Sequence, residues 1–109
     1  MKLAILNARI IDTKNNLDEV GGILINEKGL IEACGKNVTK DTVGESKIYD
    51  CKNKLAIPGI IDARVFVGEP GYEYKENYRT LSQAAISGGV TSVVTMPNTD
   101  PIIDDVSTF

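Results

Sequence analysis

The Pro58-Gly59 pair divides this 109-residue chain into two patterns that belong to different kinds of sheet. Proline fixes its own φ and lacks an amide donor, so the pair ends one run of regular structure and lets another begin. Upstream, short runs rich in Ile, Leu and Val alternate with polar turns: 3–11 then Asp12-Thr13-Lys14-Asn15-Asn16, 22–25 then Asn26-Glu27-Lys28-Gly29, and 30–34 then Gly35. Asn, Asp and Gly supply the left-handed backbone positions that tight hairpins need, which predicts a small antiparallel sheet. The polar stretch 36–46 predicts a loop, and short strands are expected at 47–51 and 55–57. Residues 1–57 are read as a small β-domain.

Downstream the order is strand, loop, helix, strand. Residues 60–67 are apolar and β-branched, and Tyr78, Leu81 and Ala85 fall at helical spacing within 75–87, a segment stopped by Gly88-Gly89. Residues 90–96 predict another strand. A βαβ unit of this kind builds parallel sheets and (β/α)8 barrels, so residues 58–109 make the chain α/β. Asp104 or Asp105 is placed to cap a second helix. A (β/α)8 barrel takes about 250 residues, so two strands cannot close one. The chain reads as a fragment of a longer protein, with Val65, Val93, Val94 and a helix face awaiting the remainder of its own polypeptide or another partner.

Hydrophobic residues at 42% and charged residues at 25% are ordinary for a soluble globular chain. The net charge of -3, with both signs interspersed, offers no basic stripe for nucleic acid and no polybasic patch for anionic lipid. No apolar run approaches the roughly 20 residues that cross a bilayer, and Asn7-Ala8-Arg9 interrupts any signal-peptide core, so a cytoplasmic location is expected. Cys34 and Cys51 lack ligand-like spacing and read as small buried strand residues kept as thiols.

Several stretches together carry a resemblance: Asn7-Ala8-Arg9-Ile10-Ile11-Asp12, Pro58-Gly59-Ile60-Ile61-Asp62, Glu69-Pro70-Gly71 with Lys75-Glu76, Ala84-Ala85 with Gly88-Gly89, and Met96-Pro97-Asn98-Thr99-Asp100-Pro101. Across nearly all of its length the chain resembles the N-terminal quarter or so of a dihydroorotase, of the longer bacterial type, within the metal-dependent amidohydrolase superfamily. The opening stretches are shared with hydantoinases, dihydropyrimidinases and allantoinases. The Met96 to Pro101 stretch is sharper, because allantoinase-like chains usually place an apolar residue where Asn98 stands. The resemblance implies the β-sandwich part of the amidohydrolase fold, followed by the start of a (β/α)8 barrel that is cut off at about its second strand. It also implies reversible ring closure of N-carbamoyl-aspartate to dihydroorotate in pyrimidine synthesis, run by zinc that polarises a carbonyl and activates water.

In that superfamily the strand entering the barrel reads Pro-Gly-x-Ile-Asp-x-His-x-His. Residues two apart on a strand share a face, so both imidazoles reach one metal. The resemblance puts Arg64 and Phe66 at those positions, and the chain contains no histidine. A guanidinium keeps its proton and has no lone pair to give, and a phenyl ring has no donor atom. Gly68 stands at the place of an arginine which, with the asparagine matched by Asn98, holds the substrate carboxylate. The expected assignments follow: no catalytic residue, metal ligand or cofactor in this chain, and Asn98 as a substrate contact by resemblance.

Alternatives stay open at these positions. Arg64 pairs with a carboxylate such as Asp62 on its own face, or fills the vacated metal volume. Phe66 is read as core packing, on the same face as Asp62 and Arg64. Asn98 either meets a ligand or closes an Asx turn with Thr99 or Asp100. Tyr72, Tyr74 and Tyr78 cluster before and within the first helix. Non-catalytic dihydroorotase-like chains persist by assembling with aspartate carbamoyltransferase, and the resemblance makes that the leading function, with homo-oligomerisation. The rival is an active dihydroorotase or related cyclic amidohydrolase whose metal ligands lie after Phe109.

Overall fold

Strand β1 (Lys2–Asp12) organises the first part of the chain, because its even-numbered residues Ala4, Leu6, Ala8 and Ile10 are buried while Asn7 and Arg9 are exposed. The computed structural model describes residues 1–108 and divides them after Pro58 into two compact units. Phe109, which ends the second predicted segment, lies outside the described residues.

In the first unit β2 (Leu17–Ile25) returns antiparallel to β1 through a turn in which the Asp12 carboxylate accepts hydrogen bonds from the Lys14 amide at 3.1 Å and from the Asn15 side chain. This strand starts at Leu17 rather than at 22. Gly21-Gly22 looks like a break in sequence, yet a Cβ on Gly21 would stand only 2.2 Å from the Gly35 carbonyl oxygen, so the missing side chain lets β3 (Ile31–Gly35) close in.

β4 (Ser46–Asp50) and β5 (Leu55–Ala56) both pair with β1 in parallel. The sheet is therefore mixed, in the order β3-β2-β1-β4 with β5 also on β1, and the expectation of an antiparallel sheet is corrected. β3 already runs the same way as β1, so the connection between β3 and β4 has to cross the sheet to bring β4 in beside β1. It does so with Val38 and Val43 buried against Ala4, Leu6 and Leu24, which makes the predicted polar loop part of the core. The sheet is single, and no second sheet faces it within the described residues of this unit, so a β-sandwich is not formed here. The register of β1 and β2 slips between Ile5 and Ala8, where Asn7 adopts φ 55°. Its carbonyl accepts from the Asn53 amide at 2.7 Å and its side-chain amide donates to Asp50 at 3.0 Å, so the turn between β4 and β5 wraps the bulge.

Both cysteines are free thiols. Cys34 is exposed and Cys51 half-buried, contrary to the buried pair expected, because β3 is an edge strand with β2 as its one neighbour. Partial shielding of the sulfur, then the charges of Asp12 and Glu19, push the Cys34 thiol up from its ordinary pKa.

The second unit holds β6 (Ile60–Val65), α1 (Tyr78–Ser87) and β7 (Val90–Thr95), with β6 and β7 parallel. The helix begins at Tyr78 rather than at 75 because Asn77 caps it. The Asn77 side-chain oxygen accepts from the Thr80 amide at 3.0 Å, and the Thr80 hydroxyl accepts from the Asn77 amide at 3.2 Å. Tyr78, Leu81 and Ala85 form its half-buried face, and the Gly89 amide closes the far end on the Ile86 carbonyl at 3.0 Å. Near the end the Asp105 carboxylate accepts from the amides of Ser107 at 2.6 Å and Thr108 at 3.3 Å, which closes a turn; the second helix expected there is not formed among the described residues. Among the described residues no helix is long and apolar enough to cross a membrane.

Candidate functional site

The residues singled out by sequence lie where β6 and β7 end. A parallel pair brings both C-terminal ends to one edge, and the Met96 amide extends the ladder by donating to the Val65 carbonyl at 2.8 Å. Simple alternation fails inside β6, however. Asp62 pairs with Val93 and Val65 with Thr95, so two residues, Ala63 and Arg64, oppose Val94 alone. A bulge of this kind re-aims side chains, so a period of two does not hold from Asp62 through Arg64 to Phe66, contrary to the shared face expected. The Asp62 carboxylate accepts from the backbone amide of Arg64 at 3.1 Å. Among the described residues the Arg64 guanidinium enters no ion pair, so the expected Asp62 pairing is replaced by this local turn.

Phe66 is 36% exposed and is not core. Its ring lies 6.3 Å from that of Tyr72, which in turn meets Tyr74 at 6.5 Å, and the Lys75 ammonium sits 5.1 Å from the centre of the Tyr72 ring. The buried neighbour is Val67, fully enclosed, because the bulge and the strand end shift which residue turns inward.

Gly68 is buried at φ +68°, and the loop folds over it: the Tyr72 amide donates to the Gly68 carbonyl at 2.6 Å. The same loop then engages the helix, since the Glu69 carboxylate accepts from the Tyr78 amide at 2.9 Å, a favourable place for negative charge. Glu73 closes on the Gly71 amide at 3.0 Å.

Asn98 is exposed, and among the described residues its side chain forms no hydrogen bond, so the Asx turn is not made. The turn is organised instead by Thr99, which sequence reasoning passed over. Thr99 is 4% exposed, and its hydroxyl reaches the carbonyls of Pro101 at 2.9 Å and Pro97 at 3.3 Å. Asp100 joins this loop to the first by donating its amide to the Pro70 carbonyl at 3.0 Å. A threonine set between Pro97 and Pro101, in a stretch where proline cannot continue a ladder, is the signal that could have found it.

The strand positions at issue do not fit zinc, because Arg64 and Phe66 offer no lone pair. Among the described residues no group of three or more His, Cys, Asp or Glu side chains is gathered for a metal ion. An open depression of about 470 Å³ lies on the first unit, between Leu6, Asn7, Val20, Lys36, Lys40 and Asp50, and involves none of these site positions.

No protein-family model matches the chain. It is 43% identical over 107 residues to a dihydroorotase of Chlorobaculum tepidum, with 95% of this chain and 24% of the relative covered. A dihydroorotase of Pelobacter propionicus is 42% identical over 105 residues, covering 96% and 24%. One from the Wolbachia of Drosophila simulans is 45% identical over 105 residues, covering 96% and 23%. The chain is thus dihydroorotase-like along nearly its whole length, consistent with an N-terminal part. It spans about a quarter of the length of the curated relatives it matches.

Proposed function

We propose that this chain supplies the small β-domain and the opening strand, helix and strand of a (β/α)8 barrel in a dihydroorotase-like protein of pyrimidine biosynthesis, and that the whole protein is a non-catalytic, cytoplasmic subunit supporting aspartate carbamoyltransferase. The observation that carries the proposal is the pair Arg64 and Phe66 at the exit of β6, where the resemblance expects two metal-binding imidazoles. The parallel β6-β7 pair and the likeness to dihydroorotases support the barrel reading. Apolar residues left open on the second unit, such as Ile61 and Val94, support completion by further chain or by another copy.

The test uses the full-length protein. After dialysis it is expected to carry no zinc coordinated by β6 and to show no turnover of N-carbamoyl-aspartate or dihydroorotate. Mixed at micromolar concentration with aspartate carbamoyltransferase, it is expected to co-elute and to change the transferase's activity. Absence of association in that mixture removes the subunit role.

A second reading is an active dihydroorotase or related cyclic amidohydrolase, with metal ligands after Phe109. It is favoured by Asn98, whose side chain stands exposed and unengaged where a substrate contact is implied, and by relatives that are named as dihydroorotases. Robust turnover abolished by a chelator selects this reading.

A further inference from the structure

We infer that position 68 is reserved for glycine by the loop's own backbone, so that this position can present no side-chain anchor to an anionic substrate. The inference rests on taking the ends of β6 and β7 as the site, and deepens that reading. At φ +68° a residue with a Cβ is strained, because left-handed backbone brings Cβ against the following carbonyl. Space is closed as well: a Cβ there would stand 2.8 Å from the Tyr72 carbonyl oxygen and 3.0 Å from that of Glu76. Both obstacles are backbone atoms of a loop that the bond from the Tyr72 amide to the Gly68 carbonyl holds in place, so no rotamer change relieves them. The neighbouring donors are already engaged by the chain's own carboxylates, Glu73 on the Gly71 amide and Glu69 on the Tyr78 amide. The loop is therefore self-liganded. Loss of a side chain at 68 and closure of the loop are one structural state, and a carboxylate substrate finds neither a cationic side chain at 68 nor those two amides free.

Gly89 provides the control. It too has positive φ, +83°, but nothing lies within 4 Å of an added Cβ, so alanine there carries the backbone strain without the collision. In the full-length protein, amide hydrogen exchange at Tyr72 is compared between wild type, Gly68→Ala and Gly89→Ala. Gly68→Ala is expected to lower Tyr72 protection about tenfold or more, the size of one left-handed strain plus a backbone clash. Gly89→Ala should leave it within about twofold, because its strain falls outside the loop. Isothermal titration of Gly68→Arg with N-carbamoyl-aspartate is expected to show no gain in affinity. Tyr72 protection unchanged in Gly68→Ala, or a Gly68→Arg variant that gains affinity, overturns the inference. Zinc or turnover in the wild type would overturn the non-catalytic reading and leave the exchange result standing, since exchange reports the backbone alone.

Discussion

The first unit closes its core within its own residues, whereas the second leaves most of its apolar side chains in the open. Up to Pro58, Leu6, Leu24, Val38 and Val43 meet on one side of a five-stranded sheet. From Gly59 onward, among the described residues, the fully enclosed apolar side chain is Val67, α1 contributes no buried residue, and Ile86 is 72% exposed. A sheet needs one covered face to be stable, and a parallel pair with one helix covers little. The difference teaches that the second unit's order comes from polar closures in its loops and caps, while the first unit's order comes from packing.

Four measurements can break or sharpen that contrast. The largest effect is expected from Leu24→Ala, which empties a site in the first unit's core and should cost about 2–5 kcal/mol in denaturant unfolding. Ile86→Ala should stay within about 0.5 kcal/mol, and equal losses at both would erase the distinction. Thr99→Val comes next. It takes the hydroxyl donor from the Pro101 carbonyl, while the Pro97 carbonyl keeps the Thr99 and Ile103 amides, and should cost about 1–3 kcal/mol, with faster amide exchange at Ile103 as the turn loosens. Asn77→Ala removes the helix cap for about 1 kcal/mol, read as lost helicity in circular dichroism.

The smallest effect concerns the exposed Arg9–Asp18 pair on the first unit. The hydrogen bond from Arg9 holds the Asp18 carboxyl below the ordinary carboxylate range. Because the folded value is depressed, the contribution is present above the unfolded carboxylate pKa and is lost as pH falls through the folded one. Asp18→Asn should lower the unfolding midpoint slightly at neutral pH, less in high salt, and not at all in strong acid. A shift that persists in acid would assign the effect to packing of the aspartate instead.

Element order and kind were legible in the sequence, since alternation, turn residues and helical spacing are local properties. The strand predicted at 60–67 runs from 60 to 65, the helix stops at Gly88-Gly89, and the strand predicted at 90–96 runs from 90 to 95. Bounds slipped where one side chain overrode the pattern, as at Asn77, or where its absence did, as at Gly21. The candidate site was legible only as chemistry. Arg64 and Phe66 cannot ligate a metal on any backbone, because that follows from their atoms.

What packing decided lay beyond any window of sequence. The parallel pairing of β4 with β1 depends on a crossing connection whose isolated valines, Val38 and Val43, have no period to reveal them. The slip between Asp62 and Val65 depends on the partner strand, and it undoes the facing that a period of two implies. Residue identity limits the chemistry a position can offer, and only neighbours distant in the chain set where that position points. Gly68 joins the two levels: its missing side chain is read from sequence, and the reason none fits is the Tyr72 and Glu76 carbonyls folded against it.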